Sequence, residues 1–204
     1  MLRIYGSARS RTVRVLWMAG ELGLSYDHND WLPRAPETKT PEYRALNPNG
    51  RVPTIDDDGF VLTESMAINF YLAKKHKSPL YPADPRHEAL VLQWSLWETD
   101  RLDRQLVNYM RHTKEYPEAE RKPEVAEEMW KEIVASFDVL ETALKKSEWL
   151  AGPSFSVADL NVAAALYRAL SIDLGKWPHV QAWLHRCWER PPAKRVRAMR
   201  EKQG

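Results

Sequence analysis

Cysteine is almost missing from this chain. Its 204 residues include a single one, Cys187, which excludes an intramolecular disulfide and a cysteine-rich metal site and suits a reducing compartment. The six histidines form no cluster spaced like metal ligands, so no metal is expected. Neither sign of charge dominates. Thirty Lys and Arg stand against 28 Asp and Glu, interspersed except for a basic stretch from Lys194 to Lys202. That stretch reads as the solvated face of a last helix, which argues against a nucleic-acid partner. No apolar run approaches the roughly 18 residues of a membrane span, and Met1-Leu2-Arg3-Ile4-Tyr5 enters strand-like sequence without a signal peptide's apolar core. Internal repeats and low-complexity tracts are absent. The expectation is a soluble, cytoplasmic protein with no membrane partner.

Tryptophan, by contrast, is plentiful: nine of them promise an aromatic core. The length suits one large or two small domains, each big enough to bury a core without staples. Leu2-Arg3-Ile4-Tyr5 alternates as a strand, and Val13, Leu16, Trp17 and Gly20 then recur at helical spacing until Gly23 stops the pattern. Ser25 to Asp30 reads as a second strand. After a long polar loop, Pro53-Thr54-Ile55-Asp56 and Phe60-Val61-Leu62-Thr63 flank Asp57-Asp58-Gly59, a strong hairpin signal, and a helix follows from Ser65 to about His76.

This order, βαβ and then ββα, predicts a thioredoxin-like α/β domain over residues 1–77. Three prolines in the stretch from Lys77 to Pro85, with no periodicity, mark a linker at 78–85. Residues 86–204 read as an all-helical bundle domain. One stripe holds Leu90, Trp94, Trp97 and Arg101, and another Val125, Met129, Ile133, Phe137, Leu140 and Leu144. Ser156-Val157-Ala158-Asp159 reads as a capping box that serves stability, with Phe155 as its staple. Pro178 opens the helix of Val180, Trp183, Leu184 and Cys187, which places the lone cysteine on an apolar stripe as an inert core residue.

The most informative stretch is Asn47-Pro48-Asn49-Gly50-Arg51-Val52-Pro53-Thr54, followed by Glu64-Ser65. Pro53 has no N–H to give, so it belongs at a strand start or turn, where a cis Val52-Pro53 bond is one way to bend the chain. Such a bend leaves the amide and carbonyl of Val52 facing outward, ready to pair with an extended ligand. Glu64 and Ser65 stand at a helix N-terminus, which suits a carboxylate, while the Glu64 side chain suits an ammonium group. Either half alone reads as a turn or an ordinary cap; together they describe a site that grips a peptide by its main chain.

The Asn-Pro-x-Gly-x-Val-Pro loop and the Glu-Ser pair resemble those of the glutathione transferase family, and the resemblance covers nearly the whole chain. It implies a site for glutathione in which Arg51 reaches the glycine carboxylate, Val52 and Pro53 present the main chain, and Glu64 and Ser65 hold the γ-glutamyl end. Lys39 is a further candidate for the glycine end. Asp100 is similar to an acidic residue that some members reach across a dimer interface, and a homodimer is implied.

Glutathione's cysteine would then point toward residues 5–12, which must activate its thiol. A free thiol has a pKa of about 8.5, and lowering it by two units needs about 2.7 kcal/mol. A hydroxyl donating to a charged sulfur contributes roughly 1.5–3 kcal/mol, and a helix N-terminus roughly 0.3–1, so one well-placed hydroxyl suffices. Ser10 is the first choice, because Gly6, Ser10 and Arg14 follow the spacing of serine-type, plant-like members. Tyr5 is the rival, as in tyrosine-type members, although Gly6 replaces their usual phenylalanine; its alternative role is core, and that of Ser10 is helix capping. Ser7 ranks third. The loop has no cysteine, which disfavours a glutaredoxin-like mechanism. Trp97, Arg101 and Tyr109 are the candidates for contact with a small hydrophobic electrophile. The leading expectation is therefore a glutathione S-transferase acting in detoxification. A non-catalytic binding or regulatory protein on the same fold, or a glutathione-dependent peroxidase, isomerase or dehalogenase, are the rivals.

Overall fold

The computed structural model describes residues 1–202, which fall into two compact units: Met1–Tyr81 together with the segment from Glu189 onward, and Pro82–Trp188. The first is built on a four-stranded sheet of order β2-β1-β3-β4, with β1 Leu2–Tyr5, β2 Tyr26–Asn29, β3 Thr54–Asp57 and β4 Phe60–Thr63. β1 runs parallel to β2 and antiparallel to β3, and β4 returns antiparallel to β3 through the expected hairpin, where Asp58 (φ 53) and Gly59 (φ 90) take the left-handed conformations of a two-residue turn. The register pairs Ile4 with Ile55 and Tyr5 with Thr54. The end of the first strand is thereby brought beside the proline loop that precedes the third.

Helix α1 (Thr12–Glu21) is buried from Thr12 to Ala19, because it packs on α3 (Ser65–Lys75) and on the last helix, α9 (Pro191–Glu201). Arg190 joins Glu21 through two hydrogen bonds of 2.7 Å, and the Arg200 guanidinium donates to the Ala8 carbonyl at 2.9 Å. The helical span expected over 86–204 thus differs from the packing, which places α9 with the first unit. Only Ala193 and Val196 of α9 are buried, too sparse an apolar pattern to reveal its partner. A short helix α2 (Pro41–Leu46), capped by the Thr40 hydroxyl, occupies the stretch read as a polar loop. Six residues with one buried side chain, Tyr43, carry too little periodicity to be recognised.

The second unit is helical: α4 (Pro85–Glu98), α5 (Arg104–Met110), α6 (Pro123–Leu144), α7 (Val157–Ala165) and α8 (Pro178–Trp188). Ile133, Phe137, Leu140 and Leu144 of α6 are buried, as their spacing predicts. On α4 the buried face is Val91, Trp94, Ser95 and Glu98, so the stripe drawn through Leu90, Trp97 and Arg101 is rotated. Two of its true members are polar and escape a hydrophobic pattern. Cys187 is fully buried on α8. Among the described residues no helix is long and apolar enough to cross a membrane.

Candidate functional site

The proline loop is held from behind. Asn47, at the end of α2, donates from Nδ2 to the Arg51 carbonyl at 2.8 Å and to the Thr54 hydroxyl at 3.0 Å, while its Oδ1 accepts from the Asn49 amide at 3.1 Å. The Tyr43 hydroxyl donates to the same Arg51 carbonyl at 2.6 Å and lies 2.8 Å from the Thr54 hydroxyl. Burial pushes the Tyr43 pKa above its ordinary value, against the pull of Thr54 and Asn47, so the phenol remains neutral and able to donate. Gly50 takes φ 56, and a Cβ there would meet the Thr38 carbonyl at 2.8 Å. The Val52–Pro53 peptide bond is cis. With both flanks secured, the Val52 main chain forms no hydrogen bond among the described residues.

Facing this loop is the start of α3. Glu64 stands at its N-cap with φ 67 and ψ 111, makes no side-chain cap, and is exposed. Ser65 is buried, and its hydroxyl accepts from the buried Arg14 guanidinium at 3.2 Å. A cation behind a helix N-terminus strengthens the site's preference for a carboxylate. A cavity of about 330 Å³ joins the two halves, lined by Arg51, Val52, Pro53, Glu64 and Ser65 together with Arg11, Asn47, Asn49 and Thr63. Its chemistry combines two guanidinium groups, a helix start, one carboxylate and a main-chain pairing edge, a set that matches a zwitterionic, extended peptide of a few residues.

The loop between β1 and α1 adjoins this cavity through Arg11. Gly6 has φ 125, and a Cβ on it would stand 2.2 Å from the Thr12 hydroxyl and 2.7 Å from Cβ of Val52. Thr12 and Val52 therefore meet over the bare glycine. The Ser10 hydroxyl lies 2.7 Å from that of Thr12, donates to the Ser7 carbonyl at 2.8 Å, and accepts from the Thr12 amide at 3.1 Å. Ser10 thus receives the first amide of α1 while standing partly exposed next to Thr12, which meets the Val52 loop.

The two other hydroxyls are differently placed. Ser7 is fully buried, its Oγ accepting from the Arg9 amide at 3.1 Å. Tyr5 packs in an aromatic cluster with Trp31 and Tyr43, at ring-centre distances of 5.4 and 5.7 Å.

Trp97, Arg101 and Tyr109 in the second unit are engaged separately. Trp97 packs edge-on to Trp94 at 5.3 Å, Tyr109 stacks on Trp130 at 5.0 Å, and the exposed Arg101 pairs with Asp100 at 2.9 Å. Four further residues line the cavity beyond those that the sequence motifs single out as binding groups: Arg11, Asn47, Asn49 and Thr63. Asn47 is nearly fully buried, and a buried asparagine in a turn is the signal that its amide has fixed partners.

The model of the glutathione S-transferase N-terminal domain matches residues 10–75, and that of the C-terminal domain matches residues 123–186. A theta class glutathione S-transferase from Xanthomonas axonopodis pv. citri, solved with glutathione bound, is 33% identical over 96% of each chain, with a TM-score of 0.89. Glutathione S-transferase-I bound with lactoylglutathione is 28% identical over 97% of this chain and 99% of its own, with a TM-score of 0.88. Glutathione transferase F7 from Populus trichocarpa is 26% identical over 98% and 99%, also at 0.88. This chain belongs to the glutathione transferase family.

Proposed function

We propose that this protein is a glutathione S-transferase that binds glutathione in the cavity at Val52 and Ser65 and uses Ser10 to hold its sulfur as a thiolate. The supporting observation is the contact over Gly6, where the hydroxyl pair of Ser10 and Thr12 adjoins the loop whose main chain is open to a peptide. Val52 pairs with the tripeptide's cysteine, the α3 N-terminus and Ser65 receive the γ-glutamyl carboxylate, Glu64 faces the ammonium, and Arg51 faces the glycine carboxylate. Ser10 donates its hydroxyl hydrogen to the sulfur, and the thiol proton leaves to solvent. The thiolate then attacks an electrophilic carbon, forming a carbon–sulfur bond as the leaving group departs with its electron pair.

In the second unit, the half-buried rings of Trp97 and Tyr109 and the exposed Arg101 suit a small aromatic or anionic acceptor. A homodimer belongs to the same proposal, and Phe60, half exposed on β4 and packed on Tyr71, is one aromatic that its interface would cover.

The test is Ser10→Ala assayed with glutathione and a chloronitrobenzene. A loss of about 2 kcal/mol in transition-state stabilisation, roughly 30-fold in kcat/KM, is expected, with glutathione binding by calorimetry little changed. Undiminished turnover would move the role to Tyr5, for which Tyr5→Phe is the deciding variant, and no calorimetric heat with the wild-type protein would remove the reading altogether.

A further inference from the structure

We infer that Thr12 is a positioning residue whose hydroxyl fixes Ser10 as a hydrogen-bond donor toward the glutathione sulfur. This rests on the function proposed above and deepens it. A serine hydroxyl has one hydrogen and two lone pairs, so beside a thiol it can act in two opposite senses. Donating to sulfur favours the thiolate; accepting from S–H favours the thiol. A serine alone does not choose between them.

The surroundings of Ser10 make the choice. Its oxygen accepts from the Thr12 amide at 3.1 Å. Its hydrogen goes to the Ser7 carbonyl at 2.8 Å, so in the 2.7 Å contact between the two hydroxyls Thr12 must donate. Both lone pairs of Ser10 are then occupied by Thr12, once from the backbone and once from the side chain. What remains for a ligand is the hydrogen, which swings from the Ser7 carbonyl to the sulfur. Each bond into the Ser10 oxygen also polarises its O–H, strengthening donation by roughly 10–30%.

Thr12 is itself constrained to this task. It is fully buried, and its hydroxyl occupies the space that Gly6 leaves by having no side chain, 2.2 Å from where a Cβ would stand. A threonine also has fewer accessible χ1 rotamers than a serine. Remove the hydroxyl and one lone pair of Ser10 opens to the S–H, so the thiol gains a partner that it lacked.

The experiment is an ultraviolet pH titration of bound glutathione, following the thiolate band in the full-length protein and in Thr12→Val, Thr12→Ala and Thr12→Ser. Valine preserves shape, and alanine is the second hydroxyl-free variant should valine fold poorly. Both are expected to raise the apparent thiol pKa by about half a unit, a roughly threefold loss of thiolate at pH values below it. Their kcat should fall there and converge on the wild type in alkali, with KM for glutathione unchanged. Thr12→Ser should restore the wild-type titration. In Ser10→Ala, adding Thr12→Val should change nothing further, since the two act through one hydroxyl. If Thr12→Val and Thr12→Ala titrate like the wild type while Ser10→Ala is shifted, the inference fails and the proposed function stands. If glutathione on the wild-type protein titrates like the free tripeptide, both fail.

Discussion

Helices α3 and α7 begin in opposite ways. At α7 every group is answered internally: the Ser156 hydroxyl accepts from the Ala158 amide, and the Asp159 carboxylate accepts from the Ser156 amide and hydroxyl, the Leu150 amide and the Trp183 indole. At α3 the N-cap residue is Glu64, whose side chain leaves the first-turn amides alone and whose φ of 67 is one that L-residues rarely adopt. The same four-residue chemistry that closes one helix start is withheld from the other. A closed start contributes stability, whereas an open one with the buried Arg14 behind it contributes a place for a carboxylate, at a conformational cost of about 1–3 kcal/mol.

The contrast breaks first at Asp159. Asp159→Ala leaves four donors without their acceptor, and a loss of about 3–5 kcal/mol is expected, read as a lower urea midpoint, while glutathione affinity of the folded protein holds. A large affinity change at constant stability would show that this cap serves the site after all. Tyr43→Phe should act on both sides of the comparison. It removes the hydroxyl that braces Arg51 and Thr54, costing about 1–2 kcal/mol of stability and weakening glutathione several-fold in calorimetry. Glu64→Gly sharpens the comparison most directly. Relief of the left-handed φ should hold stability or raise it by about 1 kcal/mol, while glutathione affinity falls about tenfold, or 1.4 kcal/mol. A variant that binds as tightly as the wild type would remove Glu64 from the site.

Much of the site was legible in the sequence because its signals are local. Pro53 after Val52, and Glu64-Ser65 ahead of an apolar helix pattern, announce a bend and a helix start within a few residues each. What supports them is not local. Tyr43 reaches Arg51 and Thr54 from a helix too short to have a period, and Arg14 meets Ser65 from 51 residues away. The fold divides in the same manner. The βαβ-ββα order and the buried stripe of α6 follow from spacing. The docking of α9 on α1 depends on Arg190 and Arg200, 169 and 192 residues from their partners, and no pattern within α9 predicts it.

The smallest effect expected sets Asp57 and Glu141, one carboxylate in each unit, against Asp159 by the sign of the response to pH. Asp57, on β3, is pushed upward by burial, but hydrogen bonds and attraction from Lys75 and a hydrogen bond from Tyr71 outweigh this and leave its pKa below the usual carboxyl value. The native state then binds fewer protons than the unfolded chain, so the stabilisation is present above the ordinary carboxyl value and is lost as pH falls from there through the lowered one. Glu141 in the second unit behaves likewise, its burial overcome by His179 and the Val180 amide. Asp159 runs the other way. Its burial outweighs all its hydrogen bonds and raises its pKa, so the native state binds the extra proton and stability declines as pH rises from the ordinary carboxyl value toward the raised one. Urea midpoints measured against pH should therefore show an acid limb that Asp57→Asn makes shallower, with Glu141 supplying the remainder. An acid limb of unchanged slope in Asp57→Asn would mean that its pairing with Lys75 contributes nothing to the stability of the sheet.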